Sequence, residues 1–362
     1  MSGVPPILVE IKRGPIVEAK HRGCVVAVEP GGRIVAAIGD PNLVICTRSC
    51  IKPIQAIPII ISGAADHFNI TSRELAVICA SHNGEAQHTD AVAGLLSRIG
   101  LDVKDLQCGA HRPYSEEAAS RLQKDGVPFS AIHNNCSGKH TGMLLNARHL
   151  NLSTDNYLSP EHAVQKAIVA ALSKMTGKHA PFVTAIDGCS APTFALTLVE
   201  LATAFSRLVN PWSFGKAEKG ATGPADLVIG PDEAVAIKWI VAAMTSNPEM
   251  VGGSRGRIDT DLMRVSRGRL VSKVGAESVH AIGVLPCEQF PRGLGIAFKI
   301  EDGSKRATPP VIVETLSQLG VLDQPELEQL AEYHMPAITN HRNLKVGEVH
   351  PVFDLGYSGR GL

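Results

Sequence analysis

The sequence predicts a mixed α/β (α+β) fold, with an antiparallel sheet built from both chain ends and a central helical lobe. Three observations predict it. Short β-branched or alternating runs fill the first 45 residues, helix-start signals gather between residues 46 and 267, and alternating apolar runs return after residue 268. The 362 residues therefore read as one domain, 1–362, with sub-regions 1–45 and 268–362 as the sheet lobe and 46–267 as the mainly helical lobe. The natural place for an active site in such an arrangement is the cleft between lobes.

At the N-terminal end, strand runs are read at Ile7 to Ile11, Val17 to Ala19, Cys24 to Val28 and Arg33 to Ile38, separated by Arg22-Gly23, Pro30-Gly31-Gly32 and Gly39-Asp40-Pro41. This reads as an antiparallel meander. In the middle, Thr71-Ser72-Arg73-Glu74 spells a capping box, and Ser159-Pro160-Glu161 combines an N-cap with proline at the first helical position. Further helices are expected at Ser115 to Lys124, Pro192 to Leu208, Pro231 to Thr245 and Asp259 to Ser266. Strands return at Arg269 to Lys273, Val279 to Leu285 and Gly293 to Ile300, then a turn at Asp302-Gly303 and a helix from Pro310 to Leu319. The segment Asn210 to Pro231, rich in glycine and proline, reads as a surface excursion or lid.

Composition narrows the partners. Lys plus Arg and Asp plus Glu both number 35, so no basic excess points to nucleic acid or an anionic membrane. Small neutral or zwitterionic ligands fit better. The N-terminus lacks the basic region and apolar run of a secretory signal, and the most apolar segment, Ile54 to Ala65, is too short to span a bilayer. The expectation is a soluble, cytoplasmic protein. Eight cysteines, at 24, 46, 50, 79, 108, 136, 189 and 287, form no Cys-x-x-Cys pair. Most read as buried thiols.

The chemistry is concentrated in a few clusters. In Thr47-Arg48-Ser49-Cys50-Ile51-Lys52-Pro53, a serine and a lysine three apart at a helix start share one face. They read as nucleophile and base, provided the ammonium is made to give up its proton. The plainer alternative is an N-cap serine and a solvated first-turn lysine. In Ala80-Ser81-His82-Asn83-Gly84-Glu85, His82, Glu85 and His88 have the wrong spacing for the His-Glu-x-x-His metal motif. A loop or helix end carrying polar groups into a cleft is the better reading. The run His133 to Gly142 opens an apolar helix at Met143, and its Asn and Gly residues suit exposed N–H groups that hold an anion. Asp187-Gly188-Cys189-Ser190-Ala191-Pro192 reads as another reactive helix start, and Lys273 stands on a late strand beside Gly275.

Taken together, Arg48 to Pro53, Ala80 to Glu85, His133 to His140, Asp187 to Thr193 and Ser272 to Glu277 resemble the signatures of the rhizobial-type (class 3) L-asparaginases, the asparaginase II family. The resemblance covers nearly the whole chain. It implies a serine β-lactamase/glutaminase-like fold, a homodimer, and hydrolysis of L-asparagine to L-aspartate and ammonia. Two serine–lysine pairs are implied as catalytic, Ser49 with Lys52 and Ser81 with Lys273. A zinc ion (Zn2+) is implied on Cys136, Lys139 and Cys189, with Arg48, His140 and Asp187 about the substrate and Asp187 close to Cys189.

In the mechanism so implied, Ser49 attacks the side-chain amide carbon with Lys52 as base, and Ser81 and Lys273 relay a proton to the leaving nitrogen. Two positions depart from the family pattern: Thr141 stands where alanine is expected and Ser278 where glycine is expected. Two rival readings are a serine amidase of the penicillin-binding type and a non-catalytic amino-acid or zinc sensor. The Ser-Asp-Asn and Lys-Thr-Gly motifs of the first are absent.

Overall fold

The computed structural model describes residues 3–214 and 227–357. In chain order the strands are β1 Ile7–Arg13, β2 Ile16–Val28, β3 Ile34–Ile38, β4 Val44–Cys46, β5 Thr184–Ile186, β6 Pro192–Thr197, β7 Leu270–Val274, β8 Val279–Val284, β9 Leu294–Ile300, β10 Ala337–Thr339 and β11 Lys345–Pro351. The helices are α1 Lys52–Ile61, α2 Ala64–His67, α3 Ser72–Ile78, α4 Ala86–Arg98, α5 Glu116–Lys124, α6 Ser137–His149 and α7 Ala163–Thr176. They continue with α8 Leu198–Val209, α9 Pro231–Ser246, α10 Pro248–Val251, α11 Ile258–Val265, α12 Thr308–Gln318, α13 Gln324–Gln329 and α14 Ala331–His334. Two compact units result, one from Met1–Cys50, Leu196–Asn210 and Asp261–Leu362, the other from Ile51–Ala195 and Pro211–Thr260.

The first unit is a sheet with strand order β10-β11-β1-β2-β9-β8-β7, with β3 also paired to β2. Every pairing given for it is antiparallel, so the fold is mixed α/β with an antiparallel sheet drawn from both ends of the chain. Its central strands are buried along most of their length, which their near-continuous Val, Ile and Ala runs require. Helix α8 lies on β2, β8 and β9. It approaches closely because Gly283 and Gly295 face each other across β8 and β9. A Cβ on Gly295 would meet the Ser206 backbone nitrogen at 2.5 Å, and one on Gly283 the Phe205 carbonyl at 3.0 Å.

Several expectations are corrected here. Val17 to Ala19 and Cys24 to Val28 belong to one strand, β2, because Arg22-Gly23 stays in the ladder: Gly23 opposes Ile300 and donates to the Pro6 carbonyl at 3.0 Å. The helix expected from Pro192 begins only at Leu198, after a strand. The stop is a capping box: Thr197 N–H donates to Glu200 Oε2 at 2.8 Å and Glu200 N–H to Thr197 Oγ1 at 3.2 Å. This helix, inside the expected helical region 46–267, packs on the sheet. Ser159-Pro160-Glu161 forms a turn, and the helix that follows starts at Ala163, capped by His162. Strands β10 and β11 were not anticipated. The alternation of Val346, Glu348 and His350 with Lys345, Gly347 and Val349 is a weak signal, because the inward-facing apolar set is short.

The second unit is helical. Helix α1 is buried from Lys52 through Ile59, and α6 from Ser137 through Ala147, so each is enclosed on all sides. Helix α1 packs on α3, α6, α7 and α9, which makes it the centre of the unit. The hairpin of β5 and β6 carries residues 187–191 at its turn. Of the expected excursion 210–231, Pro211–Phe214 forms a 3-10 turn, and residues 215–226 lie outside the described residues. Among the described residues, no helix is long and apolar enough to cross a membrane.

Candidate active site

In the sheet unit, Ser49 sits in a 3-10 turn, Arg48–Ile51, closed by Cys50 N–H donating to the Thr47 carbonyl at 3.1 Å. The α-helix begins at Lys52, so Ser49 lies in the 3-10 turn that leads directly into it, at the expected helix start. Arg48 has φ +48°, in the left-handed region. Such a conformation costs a non-glycine residue about 1–3 kcal/mol and is found where surrounding structure dictates the backbone. Ser49 is 9% exposed.

The same turn is fastened to the strand that carries Lys273. Cys50 Sγ donates to the Lys273 carbonyl at 3.3 Å. Two residues on, a Cβ at Gly275 would meet Cys50 Sγ at 3.0 Å and the Thr47 carbonyl at 3.3 Å. Gly275 is thus required by close approach to the serine turn, and Cys50 is a structural thiol. Lys273 is fully buried and donates to the Val274 carbonyl at 2.9 Å. Behind it, Ser272 and His280 Nε2 stand 2.8 Å apart, and the His280 ring stacks on Phe298.

The loop after Gly275 holds the second family departure. Ser278 has φ +54°, directly after Glu277 at φ +58°. Its hydroxyl is buried and has no hydrogen-bond partner. Glycine is free of the left-handed penalty and removes the stranded oxygen, which explains why glycine is expected there. Ser278→Gly is therefore expected to stabilise the protein by about 1 kcal/mol, after allowing for glycine's extra unfolded-state entropy. An increased midpoint of chemical unfolding checks this; a decrease contradicts it.

In the helical unit, Lys52 opens α1 and is 1% exposed. Its Nζ donates to the Ala80 carbonyl at 2.6 Å, to Ser81 Oγ at 3.0 Å and to the Asn135 carbonyl at 3.3 Å. The lysine of the first motif therefore touches the serine of the second. Ser81 N–H donates to the Val251 carbonyl at 3.0 Å. The rest of its loop is gripped by a segment that sequence reasoning missed, residues 251–257. Arg257 donates to Asn83 Oδ1 at 2.8 Å, and Ser254 donates from N–H and Oγ to Glu85 at 2.9 and 2.6 Å. No periodicity or motif marks that segment, because its role depends on contact with residues 170 positions earlier.

Helix α6 begins at Ser137, well before the expected start at Met143, and so turns Lys139 and His140 inward. The turn of the β5–β6 hairpin brings Cys189 against it, where a helix start was expected. Lys139 Nζ lies 3.0 Å from Cys189 Sγ. The neighbouring Cys189 thiol holds the Cys136 thiol well below its usual value despite burial, with Lys52 and Lys139 adding to the effect. Cys189 is pushed upward by Cys136 and by its burial. Burial works against the charge of Lys139, but Cys189 and Cys136, joined by Asp187, outweigh it and raise the amine. Asp187 is partly buried, and its Oδ1 accepts from Gly188 N–H at 2.7 Å.

Among the described residues, no group of three or more His, Cys, Asp or Glu side chains is arranged to hold a metal. Cys136, Lys139 and Cys189 offer a different donor set, two sulfurs and an amine, with Lys139 Nζ and Cys189 Sγ 3.0 Å apart. A soft divalent ion suits this set once Cys189 and Lys139 each release a proton.

Three buried histidines surround these groups. His82 Nδ1 accepts from Gly84 N–H at 3.1 Å, so its Nε2–H donates to Ser137 Oγ at 3.0 Å. His88 Nδ1 accepts from Glu85 N–H at 3.1 Å, and its Nε2–H donates to the Glu249 carbonyl at 2.9 Å. His140 Nδ1 pairs with the Tyr157 hydroxyl at 2.7 Å, and that oxygen also accepts from Gln107 N–H at 2.9 Å. His140 Nε2 is buried with no hydrogen-bond partner. Tyr157 was not anticipated, since nothing in its local sequence marks a partner 17 residues away.

Burial holds all three histidines below their ordinary value of 6.5, well below it for His82 and His140. The unfolded chain then binds more protons than the folded one below pH 6.5, so stability is full above that pH and is lost as pH falls. The slope approaches roughly 1.4 kcal/mol per pH unit for each histidine in the window beneath 6.5. Chemical unfolding at pH 5.5 and 7.5 checks this expectation, and equal stability at both would contradict it.

Comparison with known proteins gives a family and a set of distant structures. A family model described as L-asparaginase II matches residues 9–351. No curated protein sequence matches the chain. A solved structure of a probable glutaminase from Bacillus subtilis complexed with 6-diazo-5-oxo-L-norleucine is 14% identical, with 82% of this chain and 84% of that one covered and a TM-score of 0.40. The native form of Mglu is 14% identical, with 90% of this chain and 71% of that one covered and a TM-score of 0.43. Likeness at that level carries no argument about activity.

Proposed function

The chain belongs to the L-asparaginase II family, and from that premise we propose that it hydrolyses L-asparagine to L-aspartate and ammonia through a serine nucleophile. Membership makes it an amidohydrolase of the asparaginase/glutaminase type. The observation that carries the finer reading is the match across residues 9–351, which takes in all five motif clusters.

Within this proposal Ser49 forms the bond to the amide carbon, in a backbone turn fixed by Cys50 and Gly275. Lys52, three residues along the chain, takes the serine proton in its neutral amine form, after its ammonium has given one up. Contact between Lys52 and Ser81 supports a role for Ser81 in passing that proton on. Ser81 and Lys273 together deliver it to the leaving nitrogen, since an amide nitrogen leaves poorly unless protonated. Water then releases aspartate. Arg48 and the unpartnered Nε2–H of His140 are assigned to the substrate's carboxylate end, and Asp187 to its ammonium.

Zinc, if carried, would be held by Cys136, Lys139 and Cys189. When bound it supplies a positive charge that fixes polar groups of the substrate, while Ser49 remains the nucleophile. Cys189→Ser is expected to lower zinc content at least tenfold, measured by elemental analysis after dialysis. Unchanged zinc would remove this donor set from the proposal.

Specificity constants for L-asparagine and L-glutamine, from product aspartate and glutamate, test the activity. The proposal expects asparagine to be the better substrate. Turnover of neither amide by folded protein would overturn it.

A further inference from the structure

On the premise that Lys52 serves amide hydrolysis, we propose that His82 is a positioning residue, whose bond to Ser137 sets the spacing of the two chain segments that hold the lysine. Lys52 Nζ donates to the Ala80 carbonyl at 2.6 Å and Ser81 Oγ at 3.0 Å on one segment, and to the Asn135 carbonyl at 3.3 Å on the other. His82 follows Ser81 directly, and Ser137 stands two residues after Asn135. The His82 Nε2–H donates to Ser137 Oγ at 3.0 Å, so a side chain beside each set of acceptors ties the segments together.

The place requires a side chain that accepts at one atom and donates at another. His82 is fully buried, and Gly84 N–H donates to its Nδ1 at 3.1 Å, which leaves the ring proton on Nε2 for Ser137. The Ser137 hydroxyl in turn donates to the Ile132 carbonyl at 2.9 Å, so its oxygen is free to accept from the ring. The plane of the ring is fixed by stacking on His88, with centroids 4.9 Å apart and planes 10° from parallel. His88 is itself held at both nitrogens, by Glu85 N–H and by the Glu249 carbonyl. Burial, aided by the nearby charges of His88 and Lys52, keeps His82 in the neutral form that has one donor and one acceptor.

Close backbone approach gives that bond its leverage. A Cβ on Gly84 would meet the His133 carbonyl at 3.1 Å, and one on Gly138 would run into the Val77 carbonyl. Contact of this kind limits how near the two segments come but says nothing of how they slide past each other. A hydrogen bond is directional, so His82 to Ser137 fixes the alignment that contact leaves open. A positioned group displaced by about 1 Å loses on the order of 10²-fold in rate, so the alignment matters to Lys52 and Ser81.

A double-mutant cycle on kcat and KM for L-asparagine, in the full-length protein, tests this. His82→Asn keeps an acceptor for Gly84 N–H but is too short to reach Ser137, and Ser137→Ala removes the other end of the bond. His82→Gln puts an amide N–H where Nε2–H stood. The expected result is a fall in kcat of about 10–10²-fold in His82→Asn and in Ser137→Ala, with KM changed less than about threefold. KM is spared because His140 and Asp187, assigned to the amino-acid end of the substrate, take no part in the bond. The double variant should fall no further than the lower single one, and His82→Gln should recover most of the loss. Loss of a buried hydrogen bond also lowers stability, so the variants are compared at equal folded fraction by circular dichroism. Should His82→Asn fail to fold, Ser137→Ala and His82→Gln decide the matter. An unchanged kcat in the folded variants, a loss carried by KM, or single losses that multiply in the double variant overturns the role of His82 and leaves amide hydrolysis standing. A folded parent that turns over neither amide removes the premise and the role of His82 with it.

Discussion

Ser49→Ala is expected to reduce ammonia release from L-asparagine by about 10³-fold or more, the scale on which removal of a nucleophile acts when its partners stay in place. The substitution is small and its site is a backbone turn held by the Cys50–Thr47 and Cys50–Lys273 hydrogen bonds, neither of which uses the serine side chain. Thermal unfolding of the variant should therefore match the parent. Turnover close to the parent value would remove Ser49 from the reaction and leave Ser81 as the serine to consider. A parallel loss of stability and of activity would instead show that the strained turn at Arg48 depends on the hydroxyl.

Lys52→Met is expected to be the most damaging single change, because it acts on stability and chemistry together. The ammonium is buried and serves the Ala80 carbonyl, Ser81 Oγ and the Asn135 carbonyl. Methionine fills much the same volume but satisfies none of them. Each orphaned acceptor costs about 1–3 kcal/mol, so a total of several kcal/mol is expected in chemical unfolding. The Cys136 thiol also loses one of the two cations that lower it, and should react less readily with a soluble alkylating reagent at neutral pH. Whatever variant remains folded should lose about 10²–10⁴-fold in turnover, the usual contribution of a positioned proton-transfer group. Retention of full activity with only a stability loss would reassign Lys52 to a structural role.

Much of this was legible from residues alone, and the limits have physical causes. The sheet at both chain ends could be read because β7, β8 and β9 alternate or run apolar and their turns use Gly and Asp. The capping box at Thr71 is present as written. Strand β6 reads as helix in the sequence because Thr193, Phe194 and Leu196 continue without a break into the apolar face of α8, and short apolar runs have no decisive period. The turn at Asp187 reads as a helix start because Asp, Gly and Ser serve both purposes.

The motif clusters were visible because their residue types are unusual together. Their wiring was not. That Lys52 would bond to Ser81, that Cys50 would bond to the Lys273 carbonyl, and that Tyr157 would hold His140 depend on contacts across 17 to 223 positions, which no local pattern encodes. The left-handed conformation at Ser278 lay between these extremes. The departure from glycine could be read in the sequence, and its cost could be assigned only from the backbone.

In the proposed reaction Ser49 attacks the amide carbon of asparagine. A diazoketone analogue of asparagine tests it most directly, since the attacking oxygen forms a bond to the reagent's carbon as dinitrogen leaves. After incubation, digestion and peptide mass spectrometry, one equivalent of label is expected on Ser49, protected by L-aspartate and absent from Ser49→Ala. Label on Ser81, on a cysteine, or on no residue of a folded and otherwise active protein would contradict it.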